Sequence, residues 1–192
     1  IGIGFMFAPN YHPAMKHVAP VRKELKLRTI FNLLGPLTNP ASAQNQIVGV
    51  YSKELTYVFA EVLKKLGSQH VLAVHGADGM DEISITGKTY IAELKNGNIN
   101  EYQFDPTEYG FNLGKIEDIE VADIKGSKEM MLGILNGDKN TARDLTILNS
   151  GAALYVSGIC SDFESAFQVS RKMIDEGHAL NKLNQLIKTS NE

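Results

Sequence analysis

The arrangement that most restricts how this chain can fold is a strand–helix–strand unit of roughly 30 residues, the size of a βαβ crossover. Gln46 to Tyr51 is rich in strand formers, and Lys53 to Leu66 repeats Leu55, Phe59, Val62 and Leu66 at helical spacing. Gly67 stops that helix, and His70 to His75 reads as a second, buried strand. Two strands joined through a helix pair in parallel with a right-handed crossover, which leaves the helix lying on one face of the sheet. Downstream, Ile83-Ser84-Ile85, Thr89 to Leu94 and Ile99 to Phe104 read as short strands. The last two are joined across Lys95-Asn96-Gly97-Asn98, and Asn-Gly is a strong hairpin signal because both central residues must take positive φ. Three helices are expected at about 127–137, 141–158 and 163–187, with Asn140-Thr141 and Ser161-Asp162 supplying N-caps. The predicted fold class is α/β, a mixed, mostly parallel sheet flanked by helices.

The first 40 residues read differently. Residues 1–8 resemble a buried strand, and Pro9-Asn10-Tyr11-His12-Pro13 suits a turn feeding a helix. From Ala14 to Leu27, Ala14, Val18, Val21 and Leu25 form an apolar stripe opposite Lys16, Arg22, Lys23 and Lys26, with Pro20 as a kink. A second short helix, Thr29 to Leu34, is expected to end abruptly at Gly35-Pro36-Leu37-Thr38-Asn39-Pro40. Residues 13–38 thus form a small helical appendage. No repeat or linker divides the 192 residues, and 43% hydrophobic with 21% charged residues excludes collagen-like, disordered and coiled-coil chains. A chain that opens without Met, already in strand-like sequence, reads as a piece of something longer.

Charge and cysteine content narrow the partners. A net charge of −3 argues against a broad electrostatic grip on nucleic acid or anionic membrane, so a small-molecule partner is expected. Cys160 stands alone and forms no internal disulfide, which fits a reducing, cytoplasmic setting. No apolar run approaches the roughly 18 to 20 residues of a membrane span, and no signal-peptide layout opens the chain.

Few residues are placed for chemistry. Asp81-Glu82, with Asp78, falls in a Gly-rich loop just past a predicted buried strand. Adjacent carboxylates at a strand's C-terminal end suit Mg²⁺, a hard cation that takes one or two protein carboxylates and fills its shell with waters and phosphates. Two acids in a loop are equally what a solvated surface presents. His12 lies in the first loop and Arg22 ten residues on, nearly three helical turns along the following helix; a guanidinium fork matches a carboxylate, so the pair could hold an anionic aromatic or acyl substrate. His17, His70, His75 and His178 lack metal-ligand spacing, and the basic residues of the first helix also fit a solvated face. No Gly-x-Ser-x-Gly elbow, Walker loop or Gly-x-Gly-x-x-Gly fingerprint occurs, so covalent hydrolysis and nicotinamide chemistry lose support.

The run Phe5-Met6-Phe7-Ala8-Pro9-Asn10-Tyr11-His12-Pro13-Ala14-Met15-Lys16, continuing through Pro20-Val21-Arg22 and Arg28-Thr29-Ile30-Phe31-Asn32-Leu33-Leu34-Gly35-Pro36-Leu37-Thr38-Asn39-Pro40, closely resembles the anthranilate phosphoribosyltransferase family. The likeness extends through His75-Gly76, Gly79-Met80-Asp81-Glu82 and Asn149-Ser150-Gly151-Ala152-Ala153. It implies a nucleoside phosphorylase/phosphoribosyltransferase-like fold. It also implies transfer of the phosphoribosyl group of phosphoribosyl pyrophosphate to anthranilate in tryptophan biosynthesis, with Mg²⁺ required and a homodimer as the intact assembly. On this resemblance His12 and Arg22 line the anthranilate path, Gly35 and Pro36 turn against the aromatic ring, and Asp81 and Glu82 hold Mg²⁺ on the pyrophosphate. No residue is assigned a covalent catalytic role.

The family's Gly-Thr-Gly-Gly-Asp loop and Lys-His-Gly-Asn segment occur nowhere in these residues. The resemblance therefore casts residues 1–192 as the C-terminal α/β part of such an enzyme, with 13–38 contributing to an otherwise missing helical domain and negligible activity alone. Two other readings are a pyrimidine nucleoside phosphorylase, which the Ala8-to-Pro40 block and Asp81-Glu82 oppose, and a non-catalytic nucleic-acid-binding relative, which the net charge opposes.

Overall fold

The computed structural model describes residues 1–11, Glu24 and 31–192, in two compact units, 1–43 and 44–192. In the first unit the only regular elements among the described residues are two short helices, α1 (Ala8–Tyr11) and α2 (Phe31–Leu37). The expected strand at 1–8 is not formed. Residues 1–7 have no regular structure, and Ile1, Ile3, Phe5, Met6 and Phe7 are exposed. A strand is stable only with a hydrogen-bonding neighbour on an edge, and none pairs with this segment among the described residues. Helix α2 also departs from expectation by running through Gly35 and Pro36 to Leu37. Thr38 then closes it, its N–H and its hydroxyl both donating to the Gly35 carbonyl and its hydroxyl also to Leu34. The predicted helix over Ala14–Leu27 lies, apart from Glu24, outside the described residues.

The second unit holds β1 (Asn45–Gly49), α3 (Glu54–Lys65), β2 (His70–Gly76), β3 (Thr89–Lys95), β4 (Asn98–Phe104), α4 (Ile124–Leu135), α5 (Thr141–Val156), α6 (Phe163–Asp175) and α7 (His178–Ser190). The expected crossover is present, with β1 parallel to β2 and Ile47 opposite Leu72. The sheet runs β1-β2-β3-β4 and is mixed, but two of its three pairings are antiparallel, where mostly parallel pairing was expected. The cause is the hairpin. Asn96 (φ 52°) and Gly97 (φ 77°) form the two-residue turn between Lys95 and Asn98, and each added hairpin strand must run antiparallel.

Strand β2 is buried nearly end to end, as a strand covered on both faces must be. Leu72, Val74 and Ile91 face a core built with Ile147, Leu148, Phe163 and Phe167 of the C-terminal helices. The alternate residues Val71, Ala73, Ala92 and Leu94 are buried on the other face, the face of α3. The buried stripe of α3 is Thr56, Phe59, Ala60 and Leu63 instead of Leu55, Phe59, Val62 and Leu66; Leu66 is exposed at the helix end. Thr56 and Ala60 are small enough to bring the helix close to the sheet, which turns the contact face about Phe59. Phe104, Tyr109, Phe111, Phe163 and Phe167 interlock through edge-on and stacked ring contacts at 5.0 to 5.8 Å. Each fully buried aromatic contributes about 1.5 to 3 kcal/mol from removal of its apolar surface from water.

The caps read from the sequence operate as expected: the Asn140 side chain accepts from Arg143 N–H and that of Asp162 from Ser165 N–H. The single helix expected over 163–187 is two, because Gly177 takes a left-handed φ of 73° between α6 and α7. No helix among the described residues is long and apolar enough to cross a membrane.

Candidate functional site

The C-terminal end of β2 leads into the loop that carries Asp78, Asp81 and Glu82, and the loop is built by its own short side chains. Asp78 turns inward: its Oδ1 accepts from Met80 N–H at 3.0 Å, and its Oδ2 accepts from the Ser84 hydroxyl at 2.6 Å and from Thr86 Oγ1. Burial pushes the Asp78 carboxyl upward, but these donors outweigh it and hold the group below its ordinary value. Main-chain bonds from Gly76 to Met80, Gly79 to Gly76 and Ala77 to Lys88 complete the turn, with Gly79 at a φ of 97° that only glycine takes without strain. Asp78 is therefore spent on the loop.

Asp81 and Glu82 are exposed at the tip of this frame, and neither carboxylate is engaged by a hydrogen-bond donor or cation among the described residues. Partial burial of the Glu82 carboxyl, reinforced by the neighbouring Asp81 charge, raises its pKa. No group of three or more His, Cys, Asp or Glu among the described residues is arranged to hold a metal ion by itself. The donor set is thus two hard oxygen ligands with open coordination outward. That fits Mg²⁺, which binds through one or two carboxylates plus waters and phosphates and does not demand an all-protein cage.

Two residues to which the sequence assigned no site role hold the backbone beside the pair, Gly49 and the Asn149 of the resembling Asn149–Ala153 run. Gly49, at the end of β1, lies so close to Asp81 that a Cβ there would overlap the Asp81 carbonyl oxygen. Its only signal was a glycine inside a strand-forming run, which marks close backbone approach. Asn149 of α5 reaches Ile83, the residue after Glu82: Ile83 N–H donates to Asn149 Oδ1 at 3.0 Å, and Asn149 Nδ2 donates to the Ile83 carbonyl at 2.9 Å. Ile83-Ser84-Ile85 is buried but forms no strand, contrary to expectation, because side chains take the main-chain bonds of Ile83 and the Ser84 N–H, and the Ile85 carbonyl accepts from the loop residue Gly114. Ser84 N–H donates to Thr89 Oγ1 and Thr86 N–H to Ser84 Oγ. His75 ties the structure together: its Nδ1 donates to the Val50 carbonyl at 2.8 Å and joins β2 to the segment after β1.

The other candidates fall in the first unit. His12 and Arg22 lie outside the described residues. Gly35 and Pro36 belong to the first unit and are exposed, and a Cβ on Gly35 would meet nothing within 4 Å among the described residues.

Residues 1–180 match the model of the glycosyl transferase family, a/b domain. An anthranilate phosphoribosyltransferase of Methylobacillus flagellatus is 53% identical over 185 residues, 96% of this chain and 54% of that protein. Among solved structures, the anthranilate phosphoribosyltransferase of Thermus thermophilus superposes with a TM-score of 0.87 at 37% identity, covering 95% of this chain and 54% of that one. The Saccharomyces cerevisiae enzyme in complex with PRPP and Mg superposes at 0.82 with 28% identity, over 92% of this chain and 51% of that one. The chain spans about half the length of the relatives it matches. With the α/β fold and the match across residues 1–180 together, the chain belongs to the glycosyl transferase family, whose a/b domain it carries.

Proposed function

We propose that the protein containing these residues transfers the phosphoribosyl group of phosphoribosyl pyrophosphate to the amino group of anthranilate, with Mg²⁺ as cofactor, in tryptophan biosynthesis. The bond from the ribose C1 to the pyrophosphate oxygen breaks, its electron pair leaves with pyrophosphate, the amine nitrogen forms the new bond to C1, and the amine loses a proton. The observation that carries this reading is the pair of adjacent, unengaged carboxylates, Asp81 and Glu82, presented by a braced loop at the C-terminal end of β2. Asp81 and Glu82 would hold the cation from one side and leave its outward positions to phosphate oxygens. When bound, Mg²⁺ offsets the charge that builds on the departing pyrophosphate.

The anthranilate phosphoribosyltransferases among the relatives support the substrate, and the yeast enzyme's complex with PRPP and Mg supports the cation and the phosphoribosyl donor. In this reading Arg22 meets the anthranilate carboxylate with its guanidinium fork, His12 lies along the same path, and Gly35-Pro36 of α2 faces the ring. The remaining chemistry is positional, since aligning a weakly nucleophilic amine with the ribose carbon lowers the entropic part of the barrier. A cytoplasmic homodimer completes the proposal, with residues 1–192 as its α/β part and 13–38 contributing helices to a separate helical domain.

The test follows anthranilate fluorescence with phosphoribosyl pyrophosphate and Mg²⁺, using the intact reading frame in which these residues occur. Loss of fluorescence is expected, slowed at least tenfold by Asp81→Asn or Glu82→Gln and accompanied by a higher Mg²⁺ requirement. Folded protein that leaves the fluorescence unchanged would overturn the reading and make phosphate-dependent cleavage of thymidine the next assay.

A further inference from the structure

We infer that Asn149 is a positioning residue for the metal carboxylates, an inference that rests on the assignment of Asp81 and Glu82 as Mg²⁺ ligands. The Asn149 side-chain amide does what a neighbouring strand would do, donating to and accepting from the main chain of Ile83 across 66 residues of sequence. Ile83 itself is fully buried against the core, so the residue next to Glu82 is anchored by its side chain and by both of its main-chain polar groups. Gly49 constrains the other neighbour by packing against the Asp81 carbonyl. Between these two fixed points the carboxylate pair has little freedom to swing, and a preorganised pair binds a cation without first losing conformational entropy.

The surrounding residues of α5 give Asn149 its reach. Its Nδ2 also donates to the Leu145 carbonyl one turn back at 3.1 Å, which orients the amide. The next residue, Ser150, bonds to the Thr146 carbonyl and to Ser170 of α6. Gly151 lets the Phe167 ring pack directly on the helix backbone. The run Asn149-Ser150-Gly151 thus seats α5 on α6 with two residues and turns the third toward the loop. An alanine at 149 would lose the helix-internal bond as well as the clamp. A serine is the sharper probe, because serine and threonine hydroxyls in this helix already bond one turn back, as Ser150 and Thr146 do, while being too short to reach Ile83.

The experiment uses the intact reading frame and measures binding of Mn²⁺ with pyrophosphate by calorimetry, together with amide hydrogen exchange at Ile83. Asn149→Ser is expected to weaken Mn²⁺–pyrophosphate binding about ten- to a hundredfold, as loss of outer-shell support does at other metal sites, and to remove protection at Ile83. Gly151→Ala, which strains the same helix without touching the clamp, should leave that affinity unchanged. Equal weakening by Gly151→Ala would assign the effect to general instability and overturn the inference, as would Asn149→Ser that keeps wild-type affinity while Glu82→Gln loses it. If the wild-type protein binds no Mn²⁺–pyrophosphate, the metal assignment itself fails and this inference falls with it.

Discussion

At the scale of single residues, the candidate site depends on a glycine and on the difference between two acids in one loop. Gly49→Ala places a methyl group on the Asp81 carbonyl, a backbone atom that cannot rotate away. We expect a loss of about 1 to 3 kcal/mol in chemical denaturation, typical of overpacking, together with weaker metal binding. Asp78 and Glu82 carry opposite pH signatures. The folded-state pKa of Glu82 lies above its ordinary value of 4.5, so the stability this group contributes is full below that value and is lost as pH rises through the folded pKa. The pKa of Asp78 is lowered, so its contribution is present above its ordinary value of 3.8 and is lost as pH falls through the folded pKa. As a metal ligand in the proposed function Glu82 must be ionised, so on that proposal Mn²⁺ affinity should decline as pH falls through the raised Glu82 pKa. Calorimetry across this range should show that step in the wild type and not in Glu82→Gln. Asp78 was legible as an acid in a Gly-rich loop, but only the hydroxyls of Ser84 and Thr86 show that it braces the loop and leaves Asp81 and Glu82 as the unengaged acids.

Element by element, the strongest local signals led to the observed structure where they were self-contained. The Asn96-Gly97 turn, the Asn140 and Asp162 caps and the Gly67 stop each act within a few residues and came out as expected. Elements that need a partner did not. Residues 1–7 have strand composition but no described strand beside them, and Ile83-Ser84-Ile85 has strand composition but bonds to Asn149 and Thr89 instead. The packing of α5 on α6 gives an element-scale prediction. A Cβ on Gly151 would stand 2.9 Å from Phe167 Cε1 and 3.3 Å from its backbone nitrogen, so Gly151→Ala should lower stability by about 1 to 3 kcal/mol, read as a shift in denaturant midpoint. A truncating change at Phe167 would relieve the clash but leave a cavity in the aromatic cluster, so the two defects should not cancel.

On the scale of the whole second unit, the sheet is pinned at the end remote from the acidic loop by a buried polar network. Glu93 of β3 accepts from His70 of β2 at 2.8 Å, from Tyr102 of β4 at 3.0 Å and from Tyr155 of α5 at 2.7 Å, and Lys95 donates to Tyr155 at 2.9 Å. Burial, with the Glu93 charge beside it, holds the Tyr102 hydroxyl far above its ordinary pKa, so it remains a donor at any working pH. Glu93→Leu leaves one buried donor, His70, and two half-buried ones, Tyr102 and Tyr155, without their acceptor and should cost about 1 to 3 kcal/mol. Because the network and the carboxylate loop occupy opposite ends of β2, we expect that variant to lower the unfolding midpoint while the Mn²⁺–pyrophosphate affinity of the folded protein is unchanged.

The sequence alone determined the α/β class, the β1-α3-β2 crossover, the hairpin and the acidic pair at a strand end, because each is written in residues close together along the chain and governed by short-range sterics, capping and periodicity. Tertiary structure decided which acid is free, that a glycine in β1 and an asparagine in α5 brace the loop, and that a glutamate and a histidine bury together across the sheet. Those outcomes hang on contacts between residues 6 to 66 apart, where the free energy of satisfying a polar group depends on what folding brings alongside it.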